Sequence, residues 1–256
     1  MDSEKNGVGH GLAWNEARLA NTLREGGYDD AVSDYETYVE GDLERQQEIK
    51  NLIAALPETI TSASGQEVDL KETTALSLGV GPGVGIEELL ERVKKVIAVD
   101  KSNGMVERTA EKFPDQQRVE AVQDDMLKME KISDESVETV IALGVVFEIP
   151  PSEGGRIDSQ FLSEIMRVLK SGGVCIIDGV SNSKKFSKDE FAKEREADLV
   201  RAKDMAEESA VTQRFHVFLD SELKDSLKDL DFDCEVESIY GKNENAEHCG
   251  VKITKK

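Results

Sequence analysis

The segment with the clearest chemical content is Leu76-Ser77-Leu78-Gly79-Val80-Gly81-Pro82-Gly83-Val84-Gly85. An apolar run leads into it, and Ile86, Leu89, Leu90 and Val93 follow at helical spacing. Glycines at such a strand-to-helix junction permit a tight turn and let backbone N–H groups approach a ligand closely. Their spacing selects among ligands. A dinucleotide fingerprint needs G-x-G-x-x-G, but Val84 or Ile86 stands where its third glycine belongs, which disfavours a nicotinamide-dependent dehydrogenase. No Gly-Lys-Ser/Thr follows, which removes a phosphate loop of the Walker kind. The pattern present is G-x-G-x-G.

Groups suited to acid–base work are sparse. His10 lies in a glycine-rich N-terminus, His216 beside an expected sheet edge and His248 near the last strand. Each reads as an ordinary surface or structural histidine before it reads as a catalytic one. Glu148 is better placed, in a segment expected to border the site, and equally suits a solvated loop carboxylate. Cys175, Cys234 and Cys249 show no metal-like spacing and are too few for a disulfide framework. The expectation is a reducing cytoplasm and no metal. The N-terminus lacks the basic and apolar regions of a secretory leader. No apolar stretch approaches the roughly 20 residues needed to span a bilayer. Fifty-three acidic residues against 32 basic give a formal charge of −21. That field argues against nucleic-acid and membrane partners, although an acidic surface also simply keeps a protein soluble.

Several elements must position these groups. The 256 residues suffice for one large domain. The first 70 or so read as helical and polar, a cap distinct from residues 71–256. Within it, Asp42 caps a helix carrying Ile49, Leu52, Ile53 and Leu56, ended by Pro57, and residues 61–65 form a small-residue loop. From Thr74 the pattern becomes strand, turn, helix, repeated. Apolar strands are expected at 74–78, at 96–99 ending on Asp100, at 119–122, at 137–143 and at 174–177. Ser102 caps a helix whose inward residues read as Val106, Ala110 and Phe113. A later helix with Phe161, Ile165, Val168 and Leu169 stops at Gly172-Gly173. Runs apolar throughout imply strands covered on both faces, hence a mostly parallel sheet with helical crossovers. A charged helical insert occupies about 180–215. Asp220 then caps a helix with Leu223, Leu227 and Leu230 inward, and segments 234–238 and 249–253 alternate as a final antiparallel pair.

The glycine loop resembles the first motif of class I methyltransferases dependent on S-adenosylmethionine (SAM). Further segments fit that family in order: Asp100, Asp124-Asp125-Met126, Ser136-Val137-Glu138-Thr139-Val140-Ile141, and Glu164-Ile165-Met166-Arg167-Val168-Leu169-Lys170-Ser171-Gly172-Gly173. The resemblance covers roughly residues 74–180. It implies a doubly wound α/β fold with a mostly parallel seven-stranded sheet, an antiparallel last strand and an N-terminal helical cap. It implies SAM as cofactor, held at Gly79, Val80, Gly81, Gly83, Asp100, Lys101, Asp124, Asp125, Met126 and Leu143. Asp100 would receive the ribose hydroxyls, a task suited to a carboxylate with two acceptor oxygens. Asp125 would accept from the adenine amino group, with Met126 packed on the ring. The family's usual Asp or Glu two residues before the first motif glycine is here Ser77, and Ser171 replaces a proline.

Methyl transfer from a sulfonium needs an acceptor held in line and water excluded, so a missing catalytic triad is no objection. Phe147, in the segment 143–148 after the fourth strand, and the aromatics Trp14, Tyr28 and Tyr35 are the expected substrate contacts. The N-terminal aromatics either close over the site or merely pack the cap. The expected reaction is methylation of an oxygen or nitrogen of a small molecule. Protein side-chain methylation, nucleic-acid modification and a catalytically silent SAM-fold scaffold stand behind it, and the oligomeric state stays open.

Overall fold

Helices come first where the sequence is polar with an apolar stripe, and strands follow where β-branched residues cluster. The computed structural model describes residues 27–146, 149, 157–181, 220–239 and 248–256. Helix α1 (Val32–Gly41) leads into α2 (Leu43–Ala54), whose N-terminus is capped where Asp42 accepts the Arg45 N–H at 2.9 Å. Ile49, Leu52 and Ile53 form the buried stripe of α2. They share a core with Ala75, Val96, Ile141 and Ile176, so α2 covers one face of the main sheet. Residues 59–69, expected to be helical or loop, form instead a small hairpin of β1 (Thr59–Thr61) and β2 (Glu67–Asp69). Residues 62–66 connect its strands, and the alternating Thr-Ile-Thr run is the first of them.

The main domain follows as β3 (Thr74–Leu78), α3 (Ile86–Leu90), β4 (Lys95–Asp100), α4 (Asn103–Lys112), β5 (Val119–Gln123), β6 (Val137–Ala142), α5 (Ser159–Val168) and β7 (Leu169–Ser181). It closes with α6 (Asp220–Asp229), β8 (Cys234–Ile239) and β9 (His248–Lys255). Seven strands lie in the order β5-β4-β3-β6-β7-β9-β8. All pairings from β5 to β7 are parallel, while β9 runs antiparallel to both β7 and β8, as the sequence implied. The order reverses between β3 and β6, where open α/β sheets place their ligands beyond the carboxyl ends of the strands. On the face opposite α2, Phe161, Leu162 and Ile165 of α5 and Leu223 and Leu227 of α6 fill the second core.

Two boundaries differ from the sequence pattern. In α4 the buried residues are Met105 and Thr109, while Ala110 is exposed and Val106 only half-buried. Helix α5 stops at Val168, four residues before the glycine pair, because Leu169 is already extended and begins β7. Gly172 then serves inside the strand, where pairing with β6 shifts register between Val137 and Thr139. Among the described residues no helix is long and apolar enough to cross a membrane.

Gly172 also fixes the hairpin to the sheet. Its φ is +83°, and a Cβ there would lie 1.7 Å from the Thr61 carbonyl oxygen. Gly65 has a similar φ of +77° with nothing within 4 Å of an added Cβ. Gly65→Ala should therefore cost only the left-handed backbone penalty of roughly 1–2 kcal/mol. Gly172→Ala should cost clearly more, since the β1–β2 hairpin must move. Equal losses in denaturant midpoint would show that Gly172 does not set the approach of the hairpin.

Candidate functional site

Strand β3 delivers the chain to Gly79 at the carboxyl edge of the sheet. Gly79 has φ +59°, and an added Cβ would lie 2.1 Å from the Val145 side chain. Only glycine fits there. The loop is then tied down from three sides. The Val80 N–H donates to the Val99 carbonyl at 3.1 Å, and the Gly81 N–H donates to Asp100 Oδ2 at 2.9 Å. The Thr109 hydroxyl, turned inward on α4, donates to the Gly81 carbonyl at 2.8 Å. Asp100 uses its other oxygen to accept the Ser102 N–H at 2.9 Å, at the start of α4. Burial pushes the Asp100 carboxyl above its ordinary range, opposed by the N–H groups of Ser102 and Gly81. Each of its oxygens accepts one of these N–H groups and retains a lone pair for another donor.

After β5 the chain folds into a compact turn. The Asp124 carboxylate accepts the N–H groups of Asp125 and Lys131, at 2.9 and 2.8 Å. Asp125 accepts the Leu127 N–H and the Lys101 ammonium, each at 3.0 Å. Burial would raise the Asp125 carboxyl, but the Leu127 N–H and Lys101 outweigh it and hold it below the ordinary carboxylate range. The Glu164–Arg167 pair braces the following loop from α5. Glu164 accepts the Met129 N–H at 2.7 Å, and Arg167 donates to the Met129 and Ile132 carbonyls at 2.8 and 2.9 Å.

A strap made of residues 27–41 crosses above these loops. Asp29 fastens it to the start of α4, accepting the Ser102 hydroxyl at 2.6 Å and the Gly104 N–H at 2.9 Å. Those bonds, the Ser102 hydroxyl foremost, hold the Asp29 carboxyl below its ordinary range. Further along, Arg108 grips Glu36 with two donors at 2.9 and 3.0 Å. The strap carries a row of tyrosines, with Tyr28 edge-on to Tyr35 at 5.7 Å between centroids. Tyr35 in turn faces Gly81, whose added Cβ would stand 3.4 Å from the ring.

Loops and strap enclose a cavity of about 300 Å³ lined by Tyr28, Tyr35, Gly79, Gly81, Val99, Asp100, Lys101, Met105, Asp124, Asp125, Met126, Leu127, Gly144, Val145 and Ile149. Seven of the ten expected cofactor positions thus meet in one cavity, together with both expected tyrosines that are described. Val80 and Leu143 line instead an adjoining recess of about 60 Å³, which shares Tyr35, Gly79, Gly81 and Gly144 with the cavity. Gly83 lies elsewhere: an added Cβ would stand 2.7 Å from the Phe113 ring, so this glycine lets α4 pack on the loop. Trp14, Phe147, Glu148, His10 and His216 fall outside the described residues, as does the insert expected around 180–215 beyond Ser181, and of His248 only the backbone is described.

Sequence reasoning missed Met105, Thr109 and Asp29. It also missed an ion pair behind the recess: Arg45 of α2, which lines it, donates to Asp178 of β7, which is nearly fully buried and accepts the Gly144 N–H at 2.6 Å. One signal was available. Asp178 closes the apolar run Val174–Ile177 just as Asp100 closes Val96–Val99.

Residues 76–177 match a family described as a methyltransferase domain. The same fold recurs in solved structures. A chain of the Haloferax volcanii complex between the Trm112 methyltransferase activator and a protein described as a methyltransferase superposes with a TM-score of 0.59 at 15% identity, covering 89% of this chain and 97% of that one. A Methanococcus maripaludis protein described as a SAM-dependent methyltransferase gives 0.56 at 20% identity, with 89% and 93% covered. The N-methyltransferase NodS of Bradyrhizobium japonicum, in complex with S-adenosylhomocysteine (SAH), gives 0.51 at 11% identity, with 83% and 86% covered. No curated protein matches the chain in sequence.

Because Asp100 joins the glycine loop to α4, its removal should be felt without any ligand. Asp100→Ala should cost the ligand-free protein about 1–3 kcal/mol, since two N–H groups lose a buried acceptor. Asp100→Asn should lose less, keeping one acceptor oxygen. Unchanged denaturant stability of the alanine variant would mean that the loop is held by other contacts.

Proposed function

We propose that this chain, whose fold and central domain are those of the class I SAM-dependent methyltransferases, methylates an oxygen or nitrogen of a small molecule. SAM is the cofactor of such a domain and supplies an electrophilic methyl group on a sulfonium sulfur. The residues present fit it. The glycine loop leaves space where any side chain would intrude at Gly79, the Asp100 carboxylate stands at the end of β4, and Asp125 and Met126 stand beyond β5. These residues bind and orient. Asp100 would take the ribose hydroxyls, Asp125 the adenine amino group, and Lys101, already paired with Asp125, neutralises that carboxylate.

One observation carries the small-molecule reading: Tyr28 and Tyr35 of the strap stand in the lining of the cavity and partly roof it. A roofed cavity encloses a small acceptor and excludes water, the two conditions an in-line displacement depends on. The formal charge of −21 favours a second reading, methylation of a side chain in a basic protein. On cysteine usage we place the protein in a reducing cytoplasm; Cys175 and Cys234 are free thiols.

The full chain should be stabilised against heat by SAM and by SAH, by about 2.7 kcal/mol at a ligand concentration 100 times the dissociation constant, and not by NAD. Equal stabilisation by NAD would sink the cofactor assignment. Methyl-labelled SAM offered with hydroxyl- and amine-bearing small molecules, and separately with basic proteins, decides the acceptor class; label in protein alone would replace the first reading by the second.

The strap should matter more to transfer than to cofactor affinity. Asp29→Ala, which unfastens it from Ser102 and Gly104, should lower kcat about tenfold or more through misplaced groups and admitted water. SAH affinity should change less. An unaltered kcat would show that the strap does not close the site.

A further inference from the structure

Between β5 and β6 the chain runs through residues 124–136 with a single isolated bridge, Asp125 to Lys128, in place of regular structure. A connection of that length is loose unless fixed partners meet its backbone groups. Two devices supply them. Asp124 closes the near end by accepting the Lys131 N–H, while the Lys131 ammonium donates to the Gln123 carbonyl at 2.6 Å. The second device comes from α5. Glu164 and Arg167 stand three residues apart, on one side of the helix, and pair through two bonds at 2.9 and 2.8 Å. Glu164 also accepts the Met129 N–H, and Arg167 donates to the carbonyls of Met129 and Ile132 and, at 2.6 Å, to Asp134. Every donor of the guanidinium is thereby matched with an acceptor.

Holding the loop against the core does not require this pair, because Met129 and Ile132 are themselves buried in it. Nor is the pair an economical source of stability, since desolvating both charges offsets much of their attraction: Glu164 is 16% and Arg167 28% exposed. What it adds is direction. Two carbonyls and an N–H are fixed at one end of the loop and Asp124 fixes the other, so that only the turn from Asp125 to Lys128 projects. Asp125, Met126 and Leu127 of that turn line the cavity, whereas Glu164 and Arg167 do not.

We infer that the Glu164–Arg167 pair sets the base specificity of the cofactor site, by holding the Asp125 carboxylate in register with the adenine amino group. Both are positioning residues that act through Met129 and Ile132. This rests on SAM being the cofactor and on Asp125 facing its base.

The test compares SAH with S-inosylhomocysteine, which carries an oxygen in place of the adenine amino group. Binding of each to the full chain is measured by calorimetry for the wild type, Arg167→Lys and Glu164→Gln. Arg167→Lys keeps a cation beside Glu164 but loses the fork that spans two carbonyls. Arg92, which holds the Leu56 and Pro57 carbonyls at 2.7 and 3.3 Å outside the cavity, provides a matched control as Arg92→Lys. The wild type should prefer SAH by about tenfold or more, because the oxygen leaves Asp125 without its donor. In Arg167→Lys and Glu164→Gln that preference should shrink to about threefold or less, through weaker SAH binding, with S-inosylhomocysteine held within about twofold. Arg92→Lys should keep the wild-type preference. Should Arg167→Lys fail to fold, Glu164→Gln carries the test, since it retains an acceptor for the Met129 N–H. A preference that survives in the α5 variants, or equal losses for both ligands, overturns the assignment and leaves the pair a structural brace. A preference lost equally in Arg92→Lys overturns it too. A wild type that binds both ligands alike overturns the role of Asp125, and one that binds neither overturns the cofactor reading; this assignment falls with either.

Discussion

The two oxygens of the Asp100 carboxylate tie the glycine loop and the start of α4 to the end of β4 at one point. One oxygen receives the Gly81 N–H from the glycine loop and the other receives the Ser102 N–H from the start of α4. A loop with left-handed glycines has little intrinsic preference for one shape, and its conformational entropy is high. It becomes a rigid cradle only because fixed acceptors meet its N–H groups: Val99 in β4 for Val80, and Asp100 for Gly81. Thr109 completes the arrangement by donating to the Gly81 carbonyl. The same carboxylate therefore shapes the site and stands inside it.

That dependence propagates outward. Ser102 is positioned by Asp100 through its backbone, and its hydroxyl then donates to Asp29, which anchors the strap. Tyr35 faces Gly81, and Tyr28 and Tyr35 line the cavity, on a strap held by this anchor and by the Arg108–Glu36 pair. Asp29 and Asp100 approach each other closely enough for their like charges to interact, and Asp29 contributes to raising the Asp100 carboxyl. Donors between them keep this tolerable. Ser102 alone supplies one N–H and one O–H to the two carboxylates, and Gly104 adds another N–H.

The sheet was legible in the sequence almost strand by strand, because parallel strands buried on both faces are written as continuous apolar runs. Asp100, Asp124 and Asp125 were legible because they follow such runs directly. Helix α4 was misread for a physical reason: its inward face at Met105 and Thr109 includes a polar residue whose hydroxyl is spent on a loop carbonyl. An apolar-only pattern shifts that face by one residue. The β1–β2 hairpin was missed because its three-residue strands carry too little alternation to signal. Gly172-Gly173 looked like a helix stop, whereas Gly172 answers to the hairpin carbonyl pressed against it. Arg45 and Asp178 lie 133 residues apart in sequence, and nothing local in either segment announces the other.

The composition of the site also explains why no catalytic acid or base stands out in the sequence. A displacement on a methyl group already activated by a sulfonium gains little from proton transfer in the step itself; it gains from orientation and from exclusion of water. Selection for such a task acts on loop geometry, on hydrogen-bonded carboxylates and on a roof. Each of these draws on residue types that are common elsewhere on an acidic surface. What separates them from that surface is burial together with satisfied geometry: Asp178 nearly sealed beside Arg45, and Asp100 half-buried with an N–H on each oxygen. Burying charges at these positions carries a desolvation cost that apolar residues would not incur. The cost falls at Asp100, which closes β4, and at Asp178 within β7, and both carboxylates meet it by accepting backbone N–H groups, from Gly81 and Ser102 in one case and from Gly144 in the other.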